Sequence, residues 1–576
     1  MPRLRLALGQ TNPTVGDFDG NARQIIASAR AAAAAGCDLL AVGEMALSGY
    51  PIEDLASRPD FLRAASEAAA NLARQLAEAG LGALPVIVGH PDGPHEARRL
   101  ATSNAPTAIA QNVASVLQHG SVRGRYVKHH LPNYSVFDEY RIFIPGDDLL
   151  VLRVQGADVA LIICEDLWRD SGPIARVLEA DVGLLIVING SPYERDKDEV
   201  RLPLVTRRAI STNTVIAYVN LVGGQDDLIF DGDSVVVGAD GEILARAPQF
   251  QEHLLMVDVD VAAMSAAAPP SKVSRIELAA RASADRPPLT ADIAQLPDPH
   301  EQLWNALVLA LRDYVRKNGF RSVTLGLSGG IDSAVCAVLA ADAIGPENVY
   351  AVSMPSRYSS GHSRDDAAEL AVRTGIGYRV EPISALVLPF ENQLTLTGLA
   401  AENLQARVRA VILMGLSNAE GHLVLTTGNK TELAVGYSTI YGDSVGGFAP
   451  LKDVPKTLVW QLARWRNTVA ERRGQAPPIP ESSISKPPSA ELRPEQTDQD
   501  SLPEYELLDA ILESYIGQRH GRDELVAAGF APDVVDEVIR LVDRAEWKRR
   551  QGAIGPKISG MAFGRDRRLP ITNRFS

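Results

Sequence analysis

The stretch LGLSGGIDSAV, residues 325–335, places two glycines, two serines and an aspartate between an apolar run and an alanine-rich run. Glycines let a backbone approach an anion closely, and the free N–H groups at the start of a helix point towards it. An aspartate beside a phosphate is unfavourable unless a divalent cation lies between them. Ser328–Ser333 therefore predicts a loop that binds a metal-bound phosphate, although the same residue types are common in a plain strand-to-helix turn.

A cysteine in the first half of the chain indicates a different chemistry. Cys164 ends the apolar run DVALIIC and precedes two acids. An isolated cysteine is usually a small buried hydrophobic residue. A nucleophilic thiol needs a base, because free cysteine, with a pKa near ~8.5, is mostly protonated at neutral pH. Glu44, after DLLAVG, and Lys128, in RYVKHH, are candidate partners, and each taken alone is also compatible with a solvated side chain.

The elements that must position this cysteine alternate strands with longer segments. The apolar runs DLLAVGE, PVIVGH, DVALIIC and GLLIVINGS predict buried strands. NARQIIASARAAAAAG and FLRAASEAAANLARQLAEAG predict helices that end at glycine, and DSVVVGADGEILA predicts a hairpin around Asp-Gly. We expect residues 1–260 to form one α/β domain. Residues 261–299 are rich in alanine and proline and show no strand pattern, which predicts a linker with at most one helix.

From residue 300 onward strands alternate regularly with helices. The strand SVTLGL precedes the glycine loop, and VYAVSMPS, YRVEPI and HLVLTTGN follow, separated by helical segments. This alternation predicts a doubly wound parallel sheet in a domain of residues 300–576. The tail beyond Trp547 is basic and has little periodicity. Its cations are compatible with a solvated tail, with contacts to substrate phosphates or with contacts to a partner subunit.

Composition restricts the class of protein. The chain has 576 residues, which is too long for one core, and its 46% hydrophobic and 22% charged residues are ordinary for a globular enzyme. A net charge of −14 argues against non-specific nucleic-acid binding. Three cysteines predict no disulfide framework, and no apolar run approaches the ~18–20 residues of a membrane helix. Together with an N-terminus that lacks the layout of a signal peptide, these features predict a cytoplasmic protein without a membrane partner.

The second half resembles a known family. SGGIDS at the end of the first strand resembles the loop of the ATP pyrophosphatases, and LVLTTGNKTELAVGYSTIYGDSVGGFAPLKDVPKT, MPSRYSS, ENLQARVR and SKPPSAELRP resemble the glutamine-dependent NAD synthetases. The resemblance implies that ATP is a co-substrate. The nicotinate carboxylate of deamido-NAD would attack its α-phosphorus, pyrophosphate would leave, and ammonia would then displace AMP.

The same resemblance implies roles for individual residues. Asp332 and Glu432 would bind Mg²⁺. The residues that would contact ATP are Ser328, Gly329, Gly330, Asp332, Ser333, Met354 and Thr427. The residues that would bind deamido-NAD or its phosphates are Asn403, Arg407, Glu432, Asp443, Lys456 and Lys486.

The segments around Glu44, Lys128 and Cys164 together resemble the nitrilase superfamily of amidases, whose Glu–Lys–Cys triad they match in order. The resemblance implies that Glu44 is the general base, that Cys164 attacks the amide carbon of glutamine and that Lys128 binds the oxyanion. Glu139 would be an additional acid near the triad, and Tyr134 would support the site.

The two resemblances together imply an α/β protein with two domains. Residues 1–260 would form a nitrilase-like αββα sandwich, residues 261–299 a linker, and residues 300–576 a Rossmann-like ATP pyrophosphatase domain. The implied partners are glutamine, ATP and deamido-NAD. The resemblance also implies a homo-oligomer, of which a dimer is the first expectation. The sequence departs from the nitrilase pattern where Gly43 and Met45 flank Glu44, since that family usually has proline and leucine there.

Two other functions stay open on the sequence alone. One is a different ammonia-using ATP pyrophosphatase, which would not require deamido-NAD. The other is a nucleotide-sensing protein with a silent thiol domain, in which Cys164→Ala would leave glutamine turnover unchanged.

Overall fold

The computed structural model describes residues 1–96, 108–195, 197–279 and 286–574. The chain divides into two compact units. The first unit comprises Met1–Gln225 and Phe230–Pro297, and the second comprises Asp226–Ile229 and Asp298–Ser576. In the described part of the chain, no helix has the length and apolar character needed to cross a membrane.

The first 280 residues contain fifteen of the described strands and five of the described helices. The strands are β1 Arg3–Gln10, β2 Leu39–Val42, β3 Val86–Asp92, β4 Gln111–Gln118, β5 Ser121–Val127, β6 Leu149–Val154, β7 Ala157–Ile163, β8 Leu184–Asn189, β9 Val215–Asn220, β10 Val222–Gln225, β11 Leu228–Asp231, β12 Val235–Val237, β13 Ile243–Arg246, β14 His253–Asp260 and β15 Val273–Glu277. The helices are α1 Phe18–Ala34, α2 Pro59–Glu78, α3 Glu139–Ile142, α4 Pro173–Ala180 and α5 Asp198–Thr212.

Two mixed sheets pack face to face in the first unit. Their strand orders are β14-β1-β2-β3-β4-β5 and β13-β12-β9-β8-β7-β6-β15. Helices α1 and α2 pack on the first sheet, and α4 and α5 pack on the second. The central strands β7, β8 and β9 are buried along their whole length, which explains why they read as continuous apolar runs. The predicted αββα sandwich is confirmed.

The prediction of a strand-free linker at residues 261–299 is wrong. Strand β15 lies within it and pairs in parallel with β6, with Val273 opposite Leu149 and Glu277 opposite Arg153. The pattern was hard to detect because β15 is an edge strand of which only Val273 is buried. The free edge of β6 supplies its hydrogen bonds, so tertiary pairing outweighs the weak local propensity. Residues 280–285 of the predicted linker lie outside the described residues.

The second unit contains the remaining elements. The strands are β16 Val323–Gly326, β17 Val349–Ser353, β18 Gly377–Val380 and β19 Leu423–Leu425. The helices are α6 Pro299–Lys317, α7 Ile331–Ile344, α8 Gly361–Thr374, α9 Ser384–Leu394, α10 Leu399–Glu420, α11 Lys430–Val435, α12 Lys456–Arg472, α13 Glu481–Ser485, α14 Tyr505–Leu512, α15 Arg522–Ala527, α16 Pro532–Arg544 and α17 Glu546–Arg549.

The four strands of the second unit form a parallel sheet in the order β18-β17-β16-β19. The chain therefore runs outward from β16 to β18 and then returns to the other side of β16 with β19. This reversal is the point at which open α/β sheets bind ligands, beyond the carboxyl ends of the strands. The predicted doubly wound sheet is confirmed. The residues that follow β16 and β19 lie at the edge where such sheets bind ligands.

Candidate active sites

Three strand ends in the first unit place the predicted triad. Glu44 follows β2, Lys128 follows β5 directly, and Cys164 follows β7 directly. All three residues are buried, with exposures of 1%, 1% and 6%. Two of these strands belong to the first sheet and β7 belongs to the second, so the sandwich brings together residues that are 36 to 120 positions apart in the chain.

Lys128 lies between two carboxylates. Its Nζ is 2.8 Å from Glu44 Oε1 and 2.8 Å from Glu139 Oε2, and the Tyr50 hydroxyl donates to Glu139 at 2.9 Å. Burial alone would lower the pKa of Lys128, but Glu139 and Glu44 outweigh burial and raise it. Burial raises the pKa of Glu139 to about 7, although Lys128 opposes the shift. The lysine is therefore a buried cation whose charge is compensated on both sides.

Glu44 receives hydrogen bonds on both oxygens. Asn112 Nδ2 donates to Oε1 at 2.7 Å, and the Gly190 N–H donates to Oε2 at 2.9 Å. A Cβ on Gly43 would lie 2.6 Å from a methyl group of Leu221, so a close approach of chain segments accounts for the glycine before Glu44. Sequence reasoning missed Asn112. Its sequence signal is weak, because it is one of several polar residues in strand β4, which is buried from Asn112 to Gln118.

The Cys164 thiol occupies a sharp turn. Its φ of 46° lies in the left-handed region, which is uncommon for a residue other than glycine and often marks a functional site. Burial raises the pKa of the thiol, the negative charge of Glu44 raises it further, and Lys128 opposes these effects. The thiol is thus protonated at neutral pH, and a nearby base is needed to make it a nucleophile.

The two acids after Cys164 anchor the surrounding segments. Glu165 accepts from the Tyr134 hydroxyl at 2.7 Å and from Arg169 at 2.9 Å. Asp166 accepts from the Tyr126 hydroxyl at 2.7 Å and from the N–H of His130 at 2.8 Å. Asp166 therefore ties the segment after Lys128 to the turn that bears the thiol. Tyr134, predicted as a supporting residue, contacts Glu165 rather than a member of the triad.

The glycine loop of the second unit connects β16 to α7. The Ser333 hydroxyl donates to the carbonyl of Gly330 at 3.0 Å, and the Gly330 N–H donates to the Ser328 hydroxyl at 3.2 Å. Gly329 has a φ of +82°, and a Cβ there would lie 2.1 Å from the carbonyl oxygen of Ser363. Only glycine fits this position, so the loop can pass under the start of α8 and keep the N-terminus of α7 open.

A second buried lysine lies between the carboxylates beside this loop. Lys456, the first residue of α12, places Nζ 2.5 Å from Asp332 Oδ2 and 3.4 Å from Glu432 Oε1. Asn429 donates to Asp332 Oδ1 at 2.9 Å and caps α11, which bears Glu432. Burial and the charge of Asp332 raise the pKa of Glu432 to about 8, while Lys456 opposes the shift. The two carboxylates therefore repel each other, and Lys456 offsets part of that repulsion.

A cavity of about 300 Å³ opens above the loop. The predicted residues that line it are Ser328, Gly330, Asp332, Ser333, Met354, Thr427, Glu432, Asp443, Lys456 and Lys486. Gly329 is not among the lining residues. Lys486 contacts Asp366 at 2.9 Å, which holds it at the cavity wall.

Asn403 and Arg407 are not among the lining residues. Asn403 accepts from the Thr439 hydroxyl at 2.8 Å, and Arg407 donates to the carbonyl of Ile440 at 3.3 Å. Both therefore hold the segment before Asp443. Arg409, which we did not predict, does line the cavity and donates to the carbonyl of Met354 at 3.0 Å. Burial lowers the pKa of Arg409 to about 10.

Comparisons with known proteins agree with this division of the chain. Residues 5–269 match the carbon-nitrogen hydrolase family, and residues 303–552 match the NAD synthase family. The glutamine-dependent NAD(+) synthetases of Acinetobacter baylyi and Thermotoga maritima are 44% and 42% identical to this chain, and each comparison covers 100% of this chain and 99% of the relative.

Two solved structures cover almost the whole chain. The glutamine-dependent NAD+ synthetase from Acinetobacter baumannii, in complex with ADP, is 39% identical, covers 99% of both chains and has a TM-score of 0.73. The enzyme from Cytophaga hutchinsonii is 21% identical with a TM-score of 0.78, covers 99% of this chain and 98% of its own, and is similar in fold.

The two units and their sites define an ATP-dependent carbon–nitrogen ligase that takes its nitrogen from an amide. With full-length relatives at more than 40% identity, the chain belongs to the glutamine-dependent NAD(+) synthetase family.

Proposed function

We propose that this chain hydrolyses glutamine in its first unit and uses the ammonia in its second to amidate adenylated deamido-NAD+, giving NAD+, AMP and pyrophosphate. One observation supports the proposal above all. A single chain combines a buried Glu–Lys–Cys set with a separate, lysine-free phosphate loop at the switch point of a parallel sheet. Each arrangement suits one half of the reaction.

In the glutaminase half, Glu44 accepts the thiol proton while Cys164 Sγ attacks the amide carbon of glutamine. The oxyanion that forms is stabilised by the Lys128 ammonium and by the backbone N–H that follows Cys164. Glu44 returns the proton to the leaving nitrogen, ammonia departs, and a thioester remains. Glu44 then deprotonates a water molecule that attacks the thioester, which releases glutamate and restores the thiol.

In the synthetase half, the nicotinate carboxylate attacks the α-phosphorus of ATP and pyrophosphate leaves. The loop Ser328–Ser333 would hold the phosphates with backbone N–H groups and serine hydroxyls. Lys456 and Lys486, both at the cavity wall, would supply positive charge to an anionic substrate in an acidic protein. Ammonia then attacks the acyl carbon, and AMP leaves.

The carboxylates at the loop fit a magnesium ion. Mg²⁺ is usually held by one or two carboxylates together with substrate phosphates. Asp332 and Glu432 form such a pair, and among the described residues no cluster of three or more His, Cys, Asp or Glu side chains is arranged for a metal. Lys456 compensates only part of their negative charge, since one ammonium group faces two carboxylates. When bound, Mg²⁺ would neutralise charge on the departing pyrophosphate.

We also propose that the chain forms a homo-oligomer in the cytoplasm, and a dimer is the first assembly to test. Three exposed apolar side chains of α9 and α10, Leu394, Leu399 and Val411, support an assembly surface, with exposures of 57%, 71% and 71%. All three cysteines are free, as in a reducing compartment. Sedimentation velocity would test the assembly.

Product analysis tests the reaction itself. Purified protein supplied with ATP, Mg²⁺ and glutamine should form NAD+ only when deamido-NAD+ is added, with AMP and pyrophosphate in equal amounts. ADP and orthophosphate as products, or turnover with another acid in place of deamido-NAD+, would contradict the proposal.

A further inference from the structure

Asn112 links the two polar partners of the thiol. It lies on β4 and is fully buried, with an exposure of 0%. Its side-chain N–H donates to Glu44 Oε1 at 2.7 Å, and its backbone carbonyl accepts the N–H of Lys128 at 2.9 Å. One residue thus contacts the proposed base by its side chain and the proposed oxyanion ligand by its backbone.

The donors on Glu44 distinguish its two oxygens. A carboxylate oxygen accepts about two hydrogen bonds. Oε1 receives both Asn112 Nδ2 and Lys128 Nζ, so its lone pairs are filled. Among the residues that the structure describes, Oε2 accepts only the Gly190 N–H, at 2.9 Å, which leaves it one open hydrogen-bond position. The proton of a thiol can therefore go only to Oε2.

The orientation of the Asn112 amide has a structural cost. Its Oδ1 is buried and has no hydrogen-bond partner among the described residues. Orphaned buried acceptors are rare, and each one calls for an explanation. Here the explanation is that the amide must turn its N–H towards Glu44, since its oxygen would repel the carboxylate. Asn112 Nδ2 therefore donates to Glu44, while Oδ1 of the same amide has no hydrogen-bond partner among the described residues.

We propose that Asn112 is a positioning residue of the glutaminase reaction, which holds the carboxyl group of Glu44 so that Oε2 is the oxygen open to the thiol proton. The proposal rests on the glutaminase function proposed above. The alternative is a purely structural role, in which Asn112 only stabilises β4. The two accounts differ in what they predict for the pH dependence of turnover.

The other ionisable groups around Glu44 are Lys128, Glu139, Tyr50 and Cys164. A substitution of Asn112 changes none of them directly. Its first effect is to remove one hydrogen-bond donor from Glu44. Such a donor favours the charged form of a carboxyl group over its neutral form. The acid side of the pH–rate profile should therefore respond.

The test compares full-length wild-type protein with Asn112→Leu, which has a similar volume and no donor. Glutamate release is measured for kcat and KM across pH. We expect kcat to fall about 10- to 100-fold, as for a lost hydrogen bond to a charged group. KM should stay within about twofold, because Asn112 contacts Glu44 and not the substrate. The acid limb of kcat/KM should move up by about one pH unit.

Ser115→Ala is the matched control. Ser115 lies three residues further along β4, is also fully buried, and contacts His90 at 2.8 Å instead of the triad. It should keep the wild-type pH profile whatever stability it loses. Ammonia-supported NAD+ synthesis should be unchanged in both variants.

Asn112→Asp keeps the test decisive if Asn112→Leu does not fold. It preserves the shape but places a second acid beside Glu44, so the acid limb should move at least as far. A wild-type acid limb in a folded Asn112 variant would overturn the proposal, even with a lower kcat. Absence of glutamate release from the wild-type protein would instead refute the glutaminase function, so the two failures are distinguishable.

Discussion

A buried lysine lies between two carboxylates in each unit of this chain, and the two sets differ in exposure. In the first unit, the side chains of Lys128, Glu44 and Glu139 are 1–2% exposed. In the second unit, Lys456 is 2% exposed, but Asp332 and Glu432 are 16% and 19% exposed and line a cavity. Similar ion pairs therefore occur in a closed site and in an open one.

The difference indicates two uses of the same arrangement. Lys128 contacts both of its carboxylates at 2.8 Å, so the closed site is complete before a substrate binds and suits a neutral amide. Lys456 is 2.5 Å from one carboxylate and 3.4 Å from the other, and both carboxylates line a cavity. The open site is thus arranged to receive further positive charge together with an anionic substrate.

Cys164→Ala should give the largest effect and separate the two sites fully. Glutamine-supported NAD+ synthesis should fall by about 10³-fold or more, because no other group can form the thioester. Synthesis from added ammonium should stay within about twofold, since the variant leaves the second unit intact. Equal loss with both nitrogen sources would contradict the separation of the two sites.

Asp332→Ala should impair the second site and leave the first intact. Both glutamine- and ammonia-supported synthesis should fall about 10²- to 10³-fold, because the loop loses the carboxylate that faces the phosphates. Glutamate release by the first unit should persist. The measurement is parallel assay of NAD+ and glutamate, and persistence of NAD+ formation would show that the reaction does not depend on Asp332.

Gly329→Ala tests the shape of the open site without changing its charge. A Cβ would lie 2.1 Å from the Ser363 carbonyl and would occupy a φ of +82°, so the loop must move. We expect kcat/KM for ATP to fall about 10²-fold, as for a small misplacement of a reacting group. Gly361→Ala is the control, since among the described residues a Cβ there would meet no atom within 4 Å beyond its chain neighbours and the backbone of its own helix. Similar rates for both variants would contradict the role of the loop.

Glu139→Gln should have the smallest effect, which is a change in the pH dependence of stability. The substitution tests whether Glu139 preferentially takes up a proton in the folded closed site. The folded pKa of Glu139 is about 7, above the usual carboxyl value, chiefly through burial. The folded state therefore binds this proton more tightly than the unfolded state, and the stabilisation is full below pH 4.5 and is lost as the pH rises through 7.

Between pH 5 and 7.5 the wild-type first unit should lose about 1–3 kcal/mol more stability than Glu139→Gln, which stays neutral throughout. Urea unfolding followed at several pH values measures this difference. Parallel pH dependences for the two proteins would show that Glu139 is not protonated preferentially in the folded state.

Sequence patterns identified the elements better than their contacts. The apolar runs before Glu44 and Cys164 predicted strands, and β2 and β7 end next to these residues. The sandwich and the doubly wound sheet followed from the alternation of elements and from family resemblance. Strand β15 was missed because one buried residue gives no periodic signal.

Contacts between distant segments were less predictable. Asn112 and Glu44 are 68 residues apart, and nothing in either segment indicates the hydrogen bond between them. Likewise, Asn403 and Arg407 belong to a segment that resembles the family motif, yet they contact Thr439 and Ile440 rather than the cavity. Their proposed role towards deamido-NAD stays a prediction.

The sequence by itself determined which chemical groups are present, a thiol, a lysine-free glycine loop and several acids, and where strands end. Those properties depend on residue type and on periodicity along the chain. Only the tertiary structure decided which lysine is enclosed, which lysine lines a cavity, and which oxygen of Glu44 accepts fewer hydrogen bonds. Coulomb energy and desolvation depend on distance and burial in space, and neither quantity can be read from spacing along the chain.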